Sequence, residues 1–117
     1  MVNKVTLIGY IGTDPVFEKV TDEKIPLLKF RLATNQHFFD INVEWETDVQ
    51  WHSVVLWREF AKGAQKALKK GFLIYLEGRL VHNAWNDNEG NKHYTTEVVA
   101  TGFKLVSKKV IKENAPS

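Results

Sequence analysis

The sequence has no cysteine in its 117 residues, which excludes disulfide bonds and thiolate metal sites. The lack of thiols fits a reducing compartment. No apolar run approaches the roughly 20 residues that cross a bilayer, so we expect no membrane span. The first residues show no charged-then-apolar export signal. We expect a chain of this length to form one domain with its own hydrophobic core.

A large net charge is missing as well. The net charge is +2, and residues 107–117 account for it with three lysines and one glutamate. Residues 1–106 are left with 13 of the 16 basic and 13 of the 14 acidic side chains. A neutral domain can still bind phosphates if its charges are segregated onto one face. Composition therefore gives almost no support for a nucleic-acid partner, and the residue pattern has to supply it.

The apolar pattern predicts an all-β domain with one helix. Alternation predicts five strands and one short extension: Asn3–Ile11, Pro26–Thr34, Val49–Trp57, Phe72–Leu80 and His93–Val106, with the extension at Val16–Val20. Helical spacing from Phe60 to Leu68, followed by a stop at Gly71, predicts the helix. Residues 36–48 indicate a loop, and 85–91 a hairpin tip. A helix between strands 3 and 4 indicates an OB-fold, a five-stranded Greek-key barrel, over residues 1–107, followed by a short, basic, flexible tail at 108–117.

Four aromatic residues stand in polar or alternating surroundings: Phe38, Trp51, Trp57 and Trp85. Flat π-faces spread over a sheet and its hairpins suit the stacking of unpaired nucleobases. Trp51 and Trp57 lie six residues apart on one strand and share a face. The other face of that strand holds His52, Val54 and Leu56, which make a plausible interior.

Each aromatic residue also has a purely structural interpretation. The face of Trp51 and Trp57 would be core if the barrel were turned the other way. Trp85 stands beside Asn86-Asp87-Asn88 and would pack on a neighbour within the hairpin. Either Phe38 or Phe39 anchors the loop inward, and the sequence leaves open which of them does so.

Seven short blocks follow one another over about residues 2–105. They are Val2-Asn3-Lys4-Val5 leading to Ile8-Gly9, Ile11-Gly12-Thr13-Asp14-Pro15, Leu32-Ala33-Thr34-Asn35, Trp51-His52-Ser53-Val54-Val55-Leu56, Leu68-Lys69-Lys70-Gly71, Tyr75-Leu76-Glu77-Gly78-Arg79-Leu80 and Tyr94-Thr95-Thr96-Glu97-Val98-Val99. In content and order they resemble the bacterial and mitochondrial single-stranded DNA-binding protein (SSB) family. Any one block alone would be a weak signal, whereas the ordered set is specific.

The resemblance implies a homotetrameric OB-fold around which single-stranded DNA winds, with no catalysis and no cofactor. It implies that bases stack at the positions of Phe38, Trp51, Trp57 and Trp85. The family more often has Trp at the position of Phe38 and Phe at that of Trp57. Both substitutions keep a π-face. The implied roles are DNA replication, repair and recombination.

Phosphate contacts are expected from cations on strands or strand ends: Lys4, Lys29, Arg31, Arg58 and Arg79. The lysines at 62, 66, 69 and 70 form a helix stripe that needs no ligand, and Arg79 has an alternative role as an ion-pair partner of Glu77. The segment Val81–Ala84, often basic in the family, carries no fixed charge here, and residues 40–48 are acidic. We therefore expect stacking to contribute a larger share of the affinity.

Assembly and location follow from the resemblance. The matching histidine of the family lies near a subunit contact, so His52 is expected at the oligomer interface, and no second residue is spaced to make it a metal site. The strand edge Val2–Ile8, with Val2, Lys4 and Val5, is the candidate pairing edge. Replication and repair proteins are implied partners, although the sequence holds no acidic recruiting tail. The expected location is the cytoplasm with the bacterial nucleoid, or alternatively the mitochondrial matrix.

Two other function classes compete with this interpretation. A nuclease would need clustered carboxylates on a rigid support to bind metal ions. The only acidic cluster, residues 40–48, lies in a predicted loop, and no glycine-rich phosphate loop or Ser-His-Asp set is visible. Recognition of an oligosaccharide or a protein by an OB-fold is the stronger rival.

Overall fold

A computed structural model describes residues 1–20, 22–39 and 45–108, and the side chains of 37–39 and 45–47 lie outside that description. The elements in chain order are β1 (Val5–Ile11), β2 (Val16–Val20), β3 (Ile25–Phe39), β4 (Trp45–Trp57), α1 (Arg58–Ala67), β5 (Leu73–Asn86) and β6 (Lys92–Ser107). The predicted tail falls outside the described residues from position 109 onward. No described helix is long and apolar enough to cross a membrane.

The strands close into a barrel. Their order is β1-β5-β6-β4-β3-β2, and β1 also pairs with β3 at Tyr10 and Ile11, which closes a ring of five strands. β2 lies beside the ring and pairs with the first part of β3. All pairings are antiparallel except that of β4 with β6, where Val54 pairs with Val98. The prediction of an OB-fold barrel with one helix before its fourth strand is confirmed.

The barrel interior is aliphatic because alternate residues of each strand point inward. The largest completely buried side chains are Ile11, Leu28, Leu32, Val54, Leu56, Ile74 and Leu76. α1 packs on this core through Ala61 and Ala64, which have no exposed surface, and Leu68 follows directly after it. Small residues let the helix backbone approach the strands closely. The core thus fixes which face of each strand points outward.

The predicted loop over residues 36–48 is wrong for most of its length. β3 continues through Phe39 and β4 begins at Trp45, with Gln36 opposite Asp48 and Phe39 opposite Trp45. The described residues 36 and 48 are exposed. Strand pairing uses backbone hydrogen bonds and does not require apolar alternation, and the sequence there lacks that signal of a strand. Residues 40–44 lie outside the described part.

β5 and β6 extend beyond the barrel in the same way. The predicted strand ended at Leu80, but β5 runs to Asn86 and stays paired with β6 as far as Lys92. We call the projecting part, Val81–Asn86 paired with Lys92–Glu97, the β5–β6 arm. Almost all of its side chains are exposed or half-buried. The helix also begins earlier than predicted, at Arg58, immediately after β4.

Candidate nucleic-acid interface

The outward face of β4 carries two of the four predicted stacking residues. Trp51 is 52% exposed and Trp57 is 37% exposed. Val54 and Leu56, on the opposite face of the strand, have no exposed surface, and His52 is half-buried. The interpretation of the tryptophan face as core is therefore wrong. At the roughly 3.3 Å rise of a strand, the six-residue separation puts the two indoles about 20 Å apart along β4.

Trp51 lies over the backbone of Gly12. A Cβ atom added to Gly12 would be 2.1 Å from Cζ3 of the indole, so any side chain there would displace the ring. The backbone of Gly12 is itself fixed, because its N–H donates to the carbonyl of Arg31 at 2.8 Å. Trp51 is thus seated on the turn that follows β1, while half of its surface stays open.

Three clefts follow the outward faces of β3, β4, β6 and β5. The first, about 310 Å³, is lined among others by Thr13, Lys29, Arg31, Ser53 and Glu97. The second, about 440 Å³, is lined among others by Lys29, Trp57, Arg79, Asn83 and Glu97. The third, about 470 Å³, is lined among others by Trp57, Arg58, Phe60, Arg79 and Thr101. Because neighbouring clefts share residues, they form one continuous surface, which we call the outward groove.

Four of the five predicted phosphate ligands line this groove: Lys29, Arg31, Arg58 and Arg79. The side chain of Glu97 lies among them and accepts a hydrogen bond from Asn83 Nδ2 at 2.6 Å. Within the described residues, none of the four cations takes part in an ion pair. The ion pairs there join Lys62 to Glu59 and His93 to Asp87. The groove therefore presents cations whose donors face solvent, although the domain as a whole is neutral.

The alternative role of Arg79 as a partner of Glu77 does not fit the geometry. The carboxylate of Glu77 accepts a hydrogen bond from the Tyr75 hydroxyl, and this contact raises the pKa of Tyr75 above its ordinary value. Lys4, the fifth candidate, is exposed and directly precedes β1, whose first residue pairs with Gly78 beside Arg79. The lysines of the predicted helix stripe, at positions 62, 66, 69 and 70, are exposed on or just after α1, as expected for a solvated face.

Trp85 is on the β5–β6 arm and is 49% exposed. It stacks on His93, its direct cross-strand partner, with ring centroids 4.4 Å apart and planes inclined by 20°. His93 Nε2 donates to Asp87 Oδ2 at 2.8 Å. This hydrogen bond, together with those from the backbone N–H groups of Asn91 and Glu89, lowers the pKa of Asp87 below its ordinary value. Sequence reasoning named Trp85 but missed His93, because no apolar pattern marks the pairing register of an exposed hairpin.

Two further exposed aromatic side chains were missed. Phe60 is 46% exposed and lines the third cleft beside Trp57. Tyr94 is 71% exposed on the reverse face of the arm, where Lys92 Nζ lies 5.6 Å from its ring centroid. That distance is within cation–π range. The helical pattern assigned Phe60 to the buried face, so no signal in the sequence marked its exposure.

The other predicted site residues are Phe38, His52, Val2, Lys4 and Val5. Phe38 is in β3 opposite Glu46, but its side chain is outside the described part, so the choice between Phe38 and Phe39 stays open. His52 Nε2 is 2.9 Å from the Thr34 hydroxyl. Val2 and Lys4 are exposed, and Val5 is half-buried at the start of β1.

Comparison with known proteins identifies a family relationship. Residues 2–106 match the single-strand binding protein family. The chain is 38% identical over 108 residues to "Single-stranded DNA-binding protein 1" of Chlorobaculum tepidum, covering 92% of this chain and 66% of the relative. It is 40% identical over 104 residues to the single-stranded DNA-binding protein of Rhizobium meliloti, covering 87% and 59%. The chain thus spans about two thirds or less of the length of these two curated relatives.

Solved structures agree. A deletion mutant of the single-stranded DNA-binding protein from Thermus aquaticus matches with a TM-score of 0.79 and 27% identity, over 92% of this chain and 51% of that one. A Plasmodium falciparum SSB, solved in complex with single-stranded DNA, matches with a TM-score of 0.78 and 28% identity, over 92% of this chain and 95% of that one.

Proposed function

This chain belongs to the single-strand binding protein family, and we propose that it binds single-stranded DNA without sequence specificity, by base stacking on aromatic side chains together with phosphate contacts. The observation that carries the proposal is the outward face of the barrel, where Trp57 lines the outward groove together with four cations, and where the exposed Trp51 shares a face of β4 with Trp57. Every base has a π-face, so stacking is tolerant of sequence.

The groove combines the two contributions that such binding needs. Lys29 and Arg31 are on β3, the strand that pairs with the tryptophan strand, and Arg79 is on the far side of the second cleft. A backbone that follows the groove would therefore pass cations between successive stacking positions. Each stacked base contributes about 1–3 kcal/mol, and each neutralised phosphate adds a salt-dependent term. Trp85 extends the same surface onto the arm.

The groove also separates this proposal from the oligosaccharide alternative. Sugar-binding OB-folds use the same barrel face, but a neutral sugar gains nothing from four cations that form no ion pair within the described residues. Titration with oligo-dT and with a panel of neutral oligosaccharides, followed by tryptophan emission, tests the choice. We expect strong quenching by oligo-dT alone. Quenching by a sugar but not by oligo-dT would overturn the proposal.

We further propose that the protein protects unpaired DNA during replication, repair and recombination, and that it acts without catalysis. The curated relatives are named for DNA binding and not for a reaction. Incubating labelled oligo-dT with the protein and Mg²⁺ or Mn²⁺ tests the nuclease alternative. Intact oligonucleotide is expected, and metal-dependent cleavage that copurifies with the protein would contradict it. Replication and repair proteins are the proposed partners, and the cytoplasm or the mitochondrial matrix is the proposed location.

A homotetramer is the proposed assembly. β1 pairs with β5 along its length, but with β3 only at Tyr10 and Ile11. Within the described residues its edge from Val5 to Ile8 is thus unpaired on one side, and Ile8 is exposed. Unpaired strand edges are sites of pairing between subunits. Sedimentation with and without a long oligo-dT tests this. A monomer at micromolar concentration would argue against it.

A further inference from the structure

We propose that His93 is a positioning residue, which holds the Trp85 indole with one face open for a base and adjusts the strength of that stack through its own charge. The inference rests on the proposed binding of single-stranded DNA. It concerns a residue of the arm that sequence reasoning did not single out, and the role assigned to this residue acts through Trp85.

The cross-strand stack gives Trp85 one covered and one open face. The imidazole lies 4.4 Å from the indole and nearly parallel to it. Within the described residues, the ring of His93 alone stacks on Trp85, and about half of the indole surface remains exposed. An unsupported indole on an exposed strand would lose side-chain freedom when a base stacked on it. Pre-ordering by His93 removes part of that entropy cost.

Asp87 fixes the imidazole in turn. Its Oδ2 accepts the His93 Nε2 hydrogen bond at 2.8 Å, and its Oδ1 accepts the backbone N–H groups of Glu89 and Asn91 at 2.9 and 2.8 Å. The backbone N–H of Asp87 donates to the carbonyl of Asn91 at 2.9 Å, which closes the loop. The carboxylate therefore cannot turn away without breaking these hydrogen bonds of the loop. The backbone of the loop thus holds Asp87, the Asp87 carboxylate holds the His93 ring by a hydrogen bond, and the His93 ring holds the Trp85 indole by stacking.

The charged groups around His93 determine what its protonation would do. Asp87 faces it from the loop, and Glu89 lies two residues further along that loop. Lys92 is adjacent on β6 but lies over Tyr94, and β5 faces His93 with the uncharged Trp85. A protonated imidazole would bond more strongly to the carboxylate and would be attracted to the indole face. We therefore expect protonation of the imidazole to tighten the binding of oligo-dT, and a comparison of the affinity at pH 8 with that at about pH 5.5 tests this.

A matched control residue lies on the same arm. His82 is on the reverse face, three residues before Trp85 on β5, and its Nδ1 is 2.8 Å from the Thr96 hydroxyl. His82→Gln removes an equivalent titratable group without touching the indole. His93→Gln removes the ring but keeps a donor for Asp87, and His93→Phe keeps a ring but removes both the donor and the charge.

The experiment measures oligo-dT affinity of the four proteins at pH 8 and about pH 5.5, with thermal unfolding to verify the fold. We expect His82→Gln to match the wild type, His93→Gln to bind about two- to tenfold more weakly at pH 8, and His93→Phe to bind nearly normally at pH 8. Neither His93 variant should gain affinity at low pH. If His93→Gln keeps wild-type affinity and pH dependence, or if His82→Gln abolishes the gain, His93 has no positioning role. If the wild type itself does not bind oligo-dT, it is the proposed function that fails, and the inference fails with it.

Discussion

In the barrel, Trp51 and Trp57 are on a strand whose opposite face carries the completely buried Val54 and Leu56, whereas in the β5–β6 arm Trp85 is on a strand pair that is exposed on both sides. The barrel indoles are thus positioned by the hydrophobic core, and Trp51 by its seat on Gly12 in addition. The arm indole is positioned by one ring stack and a short chain of hydrogen bonds. The barrel indoles and the arm indole are therefore held in place by physically different contacts, the hydrophobic core in the barrel and the His93 stack in the arm.

This difference has a consequence for mutation. A change on the buried face of β4 also weakens the fold, because Val54 and Leu56 belong to the core. A change in the arm support alters the order of one side chain and leaves the core untouched. The arm is therefore the part of the surface that can be adjusted at little cost in global stability.

The largest expected effect tests this separation directly. Leu76→Ala removes a completely buried core side chain and should lower the free energy of unfolding by about 2–5 kcal/mol. Trp85→Ala removes a larger side chain from the arm and should cost only about 1 kcal/mol, the value of its aromatic stack. Urea unfolding measures both. Equal losses would show that arm and barrel unfold as one unit and that the comparison does not hold.

The second expected effect is on binding. Trp51→Ala and Trp85→Ala should each weaken oligo-dT binding by about 1–3 kcal/mol per stacked base lost. Phe replacements at the same positions keep a π-face and should retain most of the affinity. Fluorescence titration or gel shift measures this. Full affinity in both Ala variants would refute the aromatic site in the barrel and in the arm alike.

The contact between the Trp51 ring and the backbone of Gly12 allows a more selective mutation. Gly12→Ala would place a Cβ atom 2.1 Å from the indole, so the ring must move, and an off-rotamer side chain costs about 0.5–1.5 kcal/mol. We expect weaker oligo-dT binding with little loss of stability, since the obstructing atoms belong to one side chain. Gly63→Ala in α1, where the added atom meets nothing within 4 Å, is the control. Unchanged affinity in Gly12→Ala would mean that this seat does not position Trp51 for binding.

The salt dependence of binding distinguishes cations in the outward groove from cations on the surface of α1. Arg79→Gln in the groove should reduce the slope of log K against log salt by about 0.7 if it contacts one phosphate. Lys62→Gln on α1, whose lysine pairs with Glu59, should leave the slope unchanged. The overall slope should be shallow, because residues 1–106 are neutral. A steep slope that Arg79→Gln does not reduce would place the phosphate contacts outside the groove.

The smallest expected effect concerns the arm alone. His93 and two backbone N–H groups hold the pKa of Asp87 below its ordinary 3.8. A lowered folded pKa means that the carboxylate contributes its full stability above the ordinary value and loses it as pH falls through the lowered pKa. The arm should therefore loosen below about pH 4, seen as faster amide exchange at Glu89 and Asn91. Asp87→Asn should show no such transition in that range, and an equal transition in this variant would assign it to another group.

Sequence reasoning predicted the strands correctly where burial of one face imposes an alternation of apolar residues. Alternation on β4 gave the correct inward and outward faces, because Val54 and Leu56 had to enter the core. It failed at residues 36–39, 45–48 and 81–86, which the structure places in paired strands. In the β5–β6 arm, whose side chains are exposed or half-buried, no apolar period is required. Four of the five proposed phosphate ligands line one groove, but no spacing in the sequence could have shown that β3 and β5 present them to the same surface.

The sequence by itself determined the barrel and the family, because the core alternation, the turn residues and the ordered blocks are all local patterns. Only the tertiary structure decided that Lys29, Trp57 and Arg79 meet in one groove, since strand pairing brings together residues far apart in the chain. It also decided that His93 supports Trp85. That contact depends on the cross-strand register of an exposed arm, which hydrogen bonds fix and hydrophobicity does not.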